Sequence, residues 1–435
     1  MLGSSPTLLR AQLYHTPLNP FEQADALQAI SDGGLLFEGG RILALGSYSE
    51  LARAYPQASL LDRRDAVVLP GLIDTHVHYP QIPVIGAMGL RLLEWLKQRT
   101  LPEEEKFRDV SYARTQARIF LRQLARNGTT TALVFGAHFS GAMDAFFAEA
   151  AGSGLRITSG LVVSDRHLTE ALHTTPERAY HESRALLERW HGVGRVRYAV
   201  IPRFSLSCSE GLLEVCGQLL RENPDLLFTS HLNETVNEIR TVRELFPWAG
   251  DYLETYEHFG LLGSRSVYAH NVYVTDSELS RLAAAQASVS HCPSSNMFIG
   301  SGLFSLTRHL QHRVHVALGS DVGGGTGFNL FKEGLMAYQG QMLQHQAGYP
   351  LHVTHLLYLA TTGGARALAL EEEVGDFSPG KQADFVVLRP PVGSTLEATL
   401  QHSPSAEASL ASIFTLAREE SIAEVYVAGK PVWTS

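Results

Sequence analysis

After Gly71 the chain alternates short, continuously apolar runs with longer segments of helical period. The apolar runs fall at 66–74, 129–135, 155–163, 196–202, 227–231, 267–270, 287–291 and 314–321. Strands that are apolar throughout are expected in a parallel sheet covered on both faces. Between them, 110–127, 176–190, 210–221 and 276–285 read as helices, with Asn127-Gly128 and Asn223-Pro224 as stop signals. Such β–α units in series predict an α/β fold, a TIM (β/α)8 barrel, with its chemistry at the C-terminal ends of the strands.

The two ends of the chain follow a different rhythm. Residues 8–15, 35–38 and 41–45 read as short strands, with Gly39-Gly40 as a hairpin turn. Strand patterns return at 384–388 and 422–428, next to turns at Gly380 and Gly429. The expected arrangement is a small β-sandwich from 1–66 and 372–435, with the barrel, 67–371, inserted between its halves. Residues 390–412 carry weak signals and read as a loose loop plus a short helix.

Composition narrows the function classes. A chain of 435 residues, 45% hydrophobic, suits one large barrel with a small appendage. A net charge of −9 argues against nucleic acid as a partner, because such binders normally carry a basic patch. No run approaches the roughly 18 apolar residues that a membrane span requires. Met1 to Pro6 lacks the charged start and apolar core of a signal peptide. Cys208, Cys216 and Cys292 form no C-x-x-C pair, so reduced thiols in a cytoplasmic protein are expected.

Against that background the strand ends stand out. The first apolar run leads into Asp74-Thr75-His76-Val77-His78, and alternate residues of a strand share a face. His76 and His78 therefore point the same way, with room for one ion between them. Another run ends at His231-Leu232-Asn233-Glu234, another at His270, and the last at Ser320-Asp321. Three imidazoles and a carboxylate converging on a barrel rim make a metal site. For each histidine taken singly, a buried hydrogen-bonded side chain remains the alternative.

These residues carry a resemblance to the amidohydrolase superfamily and, within it, to the guanine deaminases. The superfamily pattern is Pro70-Gly71-Leu72-Ile73-Asp74-Thr75-His76-Val77-His78, His231 with Glu234, His270, Asp321, and the tail Gly380-Lys381-Gln382-Ala383-Asp384. The narrower pattern is His78-Tyr79-Pro80-Gln81, Leu92 to Leu96, Pro202-Arg203-Phe204-Ser205, His291 to Asn296 continuing to Gly302, and Asp321 to Thr326. Two departures are mild: Leu101 replaces a usual aromatic, and Ser320 a usual threonine.

The resemblance implies one zinc ion per chain on His76, His78, His231 and Asp321, and hydrolytic deamination of guanine to xanthine and ammonia. No lysine follows the fourth run, where binuclear relatives carry one; Arg203 stands there, which favours a single ion. By the same resemblance, Glu234 moves the protons, while His270 orients the attacking water or is a further ligand. If a helix begins at Glu234, one turn brings it beside the ion. Gln81, Arg203 and Phe204 are the expected contacts to guanine, joined by His231, Glu234 and Asp321. The arginine fork suits the carbonyl and N7 edge, and the glutamine amide suits the N1–H and carbonyl. His291 is expected behind the site, and His15, His138 and His181 at the surface. A homodimer is expected from the family alone. Another aminohydrolase activity, a non-catalytic scaffold, and iron or manganese in place of zinc remain as alternatives.

Overall fold

The computed structural model describes residues 5–435, so part of the Met1 to Pro6 reading lies outside the described residues. Eight parallel strands run in sequence order: Leu72–His78, Thr129–Phe135, Arg156–Gly160, Val196–Pro202, Leu227–Leu232, Ser266–His270, Ser288–His291 and His315–Leu318. Helices between them start where a short polar side chain can accept the first free amides. Asp109 caps Val110–Arg126, Ser209 caps Glu210–Glu222, and Thr235 and Thr275 build capping boxes with Glu238 and Glu278.

A separate seven-stranded sheet takes strands from both chain ends, as the sequence led us to expect. Thr7–His15 lies between Gln28–Glu38 and Ser59–Pro70, and Phe385–Leu388 pairs with Ser59–Pro70 on the far side. The run expected as one strand at 66–74 is two. Up to Pro70 it pairs in the seven-stranded sheet, and from Leu72 it belongs to the barrel. Gly71 makes the break where the chain passes tightly against Thr130: an added Cβ would sit 2.2 Å from the Thr130 hydroxyl. The stretch 390–412 is better ordered than expected, holding the helices Thr395–Gln401 and Ala406–Leu416. No helix among the described residues is long and apolar enough to cross a membrane.

The seam between the first and last barrel strands is closed mainly by individual bonds. Thr75 Oγ1 donates to Leu318 O at 2.8 Å, and Asp321 N to His76 O at 2.8 Å. Ser320 N donates to Asp74 Oδ1 at 3.0 Å, and the Ser320 hydroxyl donates to the same carboxyl. Burial pushes Asp74 up to about 7. Inside the barrel, Ile73, Leu133, Phe135, Ile201 and Leu227 form an apolar layer closed below by Ala365 and Leu368.

Candidate active site

His76 and His78 leave the first barrel strand on one face, as the period of the strand requires. His231 comes from the fifth strand, His270 from the end of the sixth, and Asp321 from just past the eighth. All five are buried. His76 Nε2 lies 3.2 Å from His78 Nε2, and His78 Nε2 3.3 Å from His231 Nε2. Asp321 Oδ1 lies 3.3 Å from His76 Nε2 and 3.1 Å from His78 Nε2. Phe135 packs on the rings of His76, His78 and His231 at 4.7–4.8 Å between centroids and floors the cluster.

These distances fit a metal ion. Donors about 2.0–2.1 Å from a tetrahedral centre lie about 3.3 Å from one another. Burial lowers the proton affinity of His78 to about 4 and pulls His76 and His231 down as well, so the rings present lone pairs. Lone pairs facing each other at such range repel unless a cation lies between them. His231 Nδ1 sits 2.6 Å from Arg203 O, which must receive its N–H and so leaves Nε2 free to ligate. His76, His231, His270 and Asp321 each offer a ligand atom within 4.8 Å of the others.

His270 is set slightly apart. Its Nε2 lies 3.6 Å from Glu234 and 3.8 Å from Asp321 Oδ2, and its Nδ1 is 2.9 Å from Asn296 Oδ1. His270, Asn271, Asn233 and Asp321 all adopt left-handed backbone, with φ of 69°, 47°, 50° and 48°. Strain of this kind persists only where the surroundings enforce it, and here it clusters at the strand ends that carry His270 and Asp321.

Glu234 reaches the cluster by a route the sequence did not suggest. The helix begins at Val236, not at Glu234, and the left-handed turn at Asn233 swings the carboxylate in. Burial and the nearby Asp321 carboxylate push Glu234 up to about 8. The Ser301 hydroxyl donates to its Oε1 at 3.0 Å.

Gln81, Arg203 and Phe204 line the same recess as His78, His231 and Glu234. Leu92, Trp95, Leu96 and Ile299 supply its apolar walls. Behind Gln81 and Arg203 stands Glu104, a residue the sequence reading missed. Arg203 Nη1 donates to both Glu104 oxygens at 2.8 and 2.7 Å, and Gln81 Nε2 donates to Oε1 at 3.0 Å. His138 Nε2 is 3.3 Å from Oε2. His138 is therefore buried, not at the surface, and so is His15, whereas His181 is exposed as expected. The His291 ring stacks on Phe304 at 4.3 Å between centroids. The three cysteines are free and buried.

Residues 67–432 match the Amidohydrolase family, and 33–58 match the Imidazolonepropionase-like composite domain of bacteria. The chain belongs to the amidohydrolase family. Within that family, guanine deaminases are among the relatives it resembles along nearly its whole length. A probable guanine deaminase of Deinococcus radiodurans is 57% identical over 98% of each chain. The guanine deaminase of Escherichia coli is 40% identical over 95% of this chain and 94% of its own. The solved structure of the E. coli enzyme matches with a TM-score of 0.95 at 39% identity, covering 98% of this chain and 99% of its own. That of the guanine deaminase from C. acetobutylicum with bound guanine matches with a TM-score of 0.91 at 26% identity, over 99% and 100%. The family and the His/Asp cluster together give this enzyme a metal cofactor.

Proposed function

We propose that this enzyme hydrolyses guanine to xanthine and ammonia in purine catabolism or salvage, with zinc as its metal. One ion would be held by His76, His78, His231 and Asp321. A metal bound there supplies an activated water, and hence a nucleophile at neutral pH. The observation that carries the reading is the meeting of two halves in one buried recess. The donor cluster and Glu234 stand on one side, and Gln81 with Arg203 on the other.

The residues divide the work as follows. Arg203 donates to the carbonyl and N7 edge of the purine, Gln81 pairs with the lactam N1–H, and Phe204 bounds the ring. This hold leaves C2 facing the cluster. His270, between Glu234 and Asp321, orients the attacking water. Glu234 takes the proton that the water gives up and passes it to N3 as the C2–O bond forms. When the C2–N bond breaks, the amine leaves as ammonia, with Glu234 and Asp321 handling the remaining protons. His231, Glu234 and Asp321 thus also border the bound substrate.

The division of the chain into 1–66 with 372–435 and a catalytic part, 67–371, belongs to the same proposal. We place the enzyme in the cytoplasm, consistent with three unpaired thiols, and expect a homodimer by family likeness. The test is ammonia release from guanine, adenine, cytosine, isoguanine and pterins, with and without a chelator. Guanine should be preferred and the chelator should abolish turnover. Faster release from any other substrate would overturn the assignment.

A further inference from the structure

Glu104 is a buried carboxylate that does not line the substrate recess, yet both polar residues expected to read the substrate lean on it. A carboxylate has no hydrogen to offer, so only the NH₂ end of Gln81 can face Glu104 Oε1 at 3.0 Å. The carbonyl end of Gln81 must then point the other way. It lies beside Gly323, where an added Cβ would come within 2.2 Å of Oε1. Arg203 is fixed by the same group. Its Nη1 is shared by the two Glu104 oxygens, and Nε and Nη2 have no partner among the described residues. His138 Nε2 lies 3.3 Å from the carboxylate on a third side.

We propose that Glu104 is a positioning residue that fixes Gln81 as an acceptor and Arg203 as a donor, and so sets which purine edge the enzyme accepts. The inference rests on the guanine reading above. A free glutamine amide could turn over and offer either end. Tied to Glu104, it presents only oxygen, which suits a ring N–H and opposes a ring nitrogen lone pair. Guanine offers a carbonyl acceptor at C6 and an N1–H donor. 2,6-Diaminopurine has nearly the same shape and the same C2 amine, but offers a donor at C6 and an acceptor at N1. The contacts at C6 and N1 are both inverted, while N7 stays an acceptor in either purine.

The test compares kcat and KM for guanine and 2,6-diaminopurine in the metal-loaded full chain. Wild type should prefer guanine by on the order of 10³-fold or more in kcat/KM, as a site built on hydrogen bonds rejects mismatched analogues. In Glu104→Gln the neighbouring amide can accommodate either orientation of Gln81. The preference should drop at least roughly tenfold, mainly through KM, with metal content unchanged. Glu104→Asp keeps the charge opposite Arg203 but withdraws it from Gln81, which guards against a variant that fails to fold. It should relax the preference by a smaller factor, about threefold. An unchanged ratio in either folded variant, or no preference in wild type, overturns the role of Glu104 and leaves the guanine reading standing. Wild type inactive on guanine would instead overturn that reading.

Discussion

Ser301 donates its hydroxyl hydrogen to Glu234 Oε1 at 3.0 Å, joining the loop after the seventh barrel strand to the turn after the fifth. Both side chains are buried, so no solvent can replace the bond. Removing one partner of a buried hydrogen bond costs about 1–3 kcal/mol. Part of that should appear as misorientation of the proton carrier. Ser301→Ala is expected to lower kcat on guanine about tenfold with metal content unchanged, read by steady-state ammonia release. An unaltered kcat would remove Ser301 from the mechanism.

Removing the carrier itself should cost much more. Glu234→Gln keeps the shape and the Ser301 contact but cannot shuttle a proton. Turnover should fall on the order of 10²–10⁴-fold, the usual range for such groups. Elemental analysis should find the metal still in place. Wild-type turnover in this variant would mean that another group moves the proton.

The donor cluster makes a prediction about stability as well as rate. Three neutral imidazoles and a carboxylate packed at 3.1–3.3 Å need a cation among them. An ion that binds only the folded chain stabilises it by about 2.7 kcal/mol at 100 times its dissociation constant. Chelation should therefore abolish activity and lower the thermal transition together, and added zinc should restore both. His231→Ala should bind little metal. A chelated protein that melted at the untreated temperature would contradict the cluster's role.

The separation between readable and unreadable features has a physical pattern. Parallel strands covered on both faces are apolar throughout, so the eight barrel strands were visible as runs. The join at Gly71 was invisible because apolar character continues across it while the hydrogen-bonding partners change. Glu104 sits in Glu103-Glu104-Glu105-Lys106, which by composition is an ordinary solvated helix face. Its burial depends on Arg203, 99 residues away. His138 was unreadable for the same reason. The inward turn of Glu234 required a left-handed Asn233, which sequence permits but does not announce.

Burial of His15 makes the small sheet sensitive to acid. Burial lowers its folded value to about 4, and its Nδ1 accepts from Phe377 N at 3.1 Å. The unfolded value is about 6.5. Between those limits the unfolded chain binds more protons, so stability falls as pH drops from about 6.5 towards 4. The loss from His15 alone between pH 7 and pH 5 should be about 2 kcal/mol. Urea unfolding of wild type and His15→Gln at both pH values reads it as a difference in slope. Equal losses in the two proteins would show that His15 titrates normally in the folded state.

The pairing of Ser59–Pro70 with Phe385–Leu388 also governs how the protein emerges from the ribosome. The early strand is finished roughly 300 residues before its partner is translated. At about 5–20 residues per second that wait lasts about 15–60 s. Throughout it, one side of the strand shows bare amides and carbonyls to any other chain nearby. Nascent chains arrested short of residue 385 should be cut by protease near this strand far faster than released protein, and the barrel must be synthesised while its platform is half built.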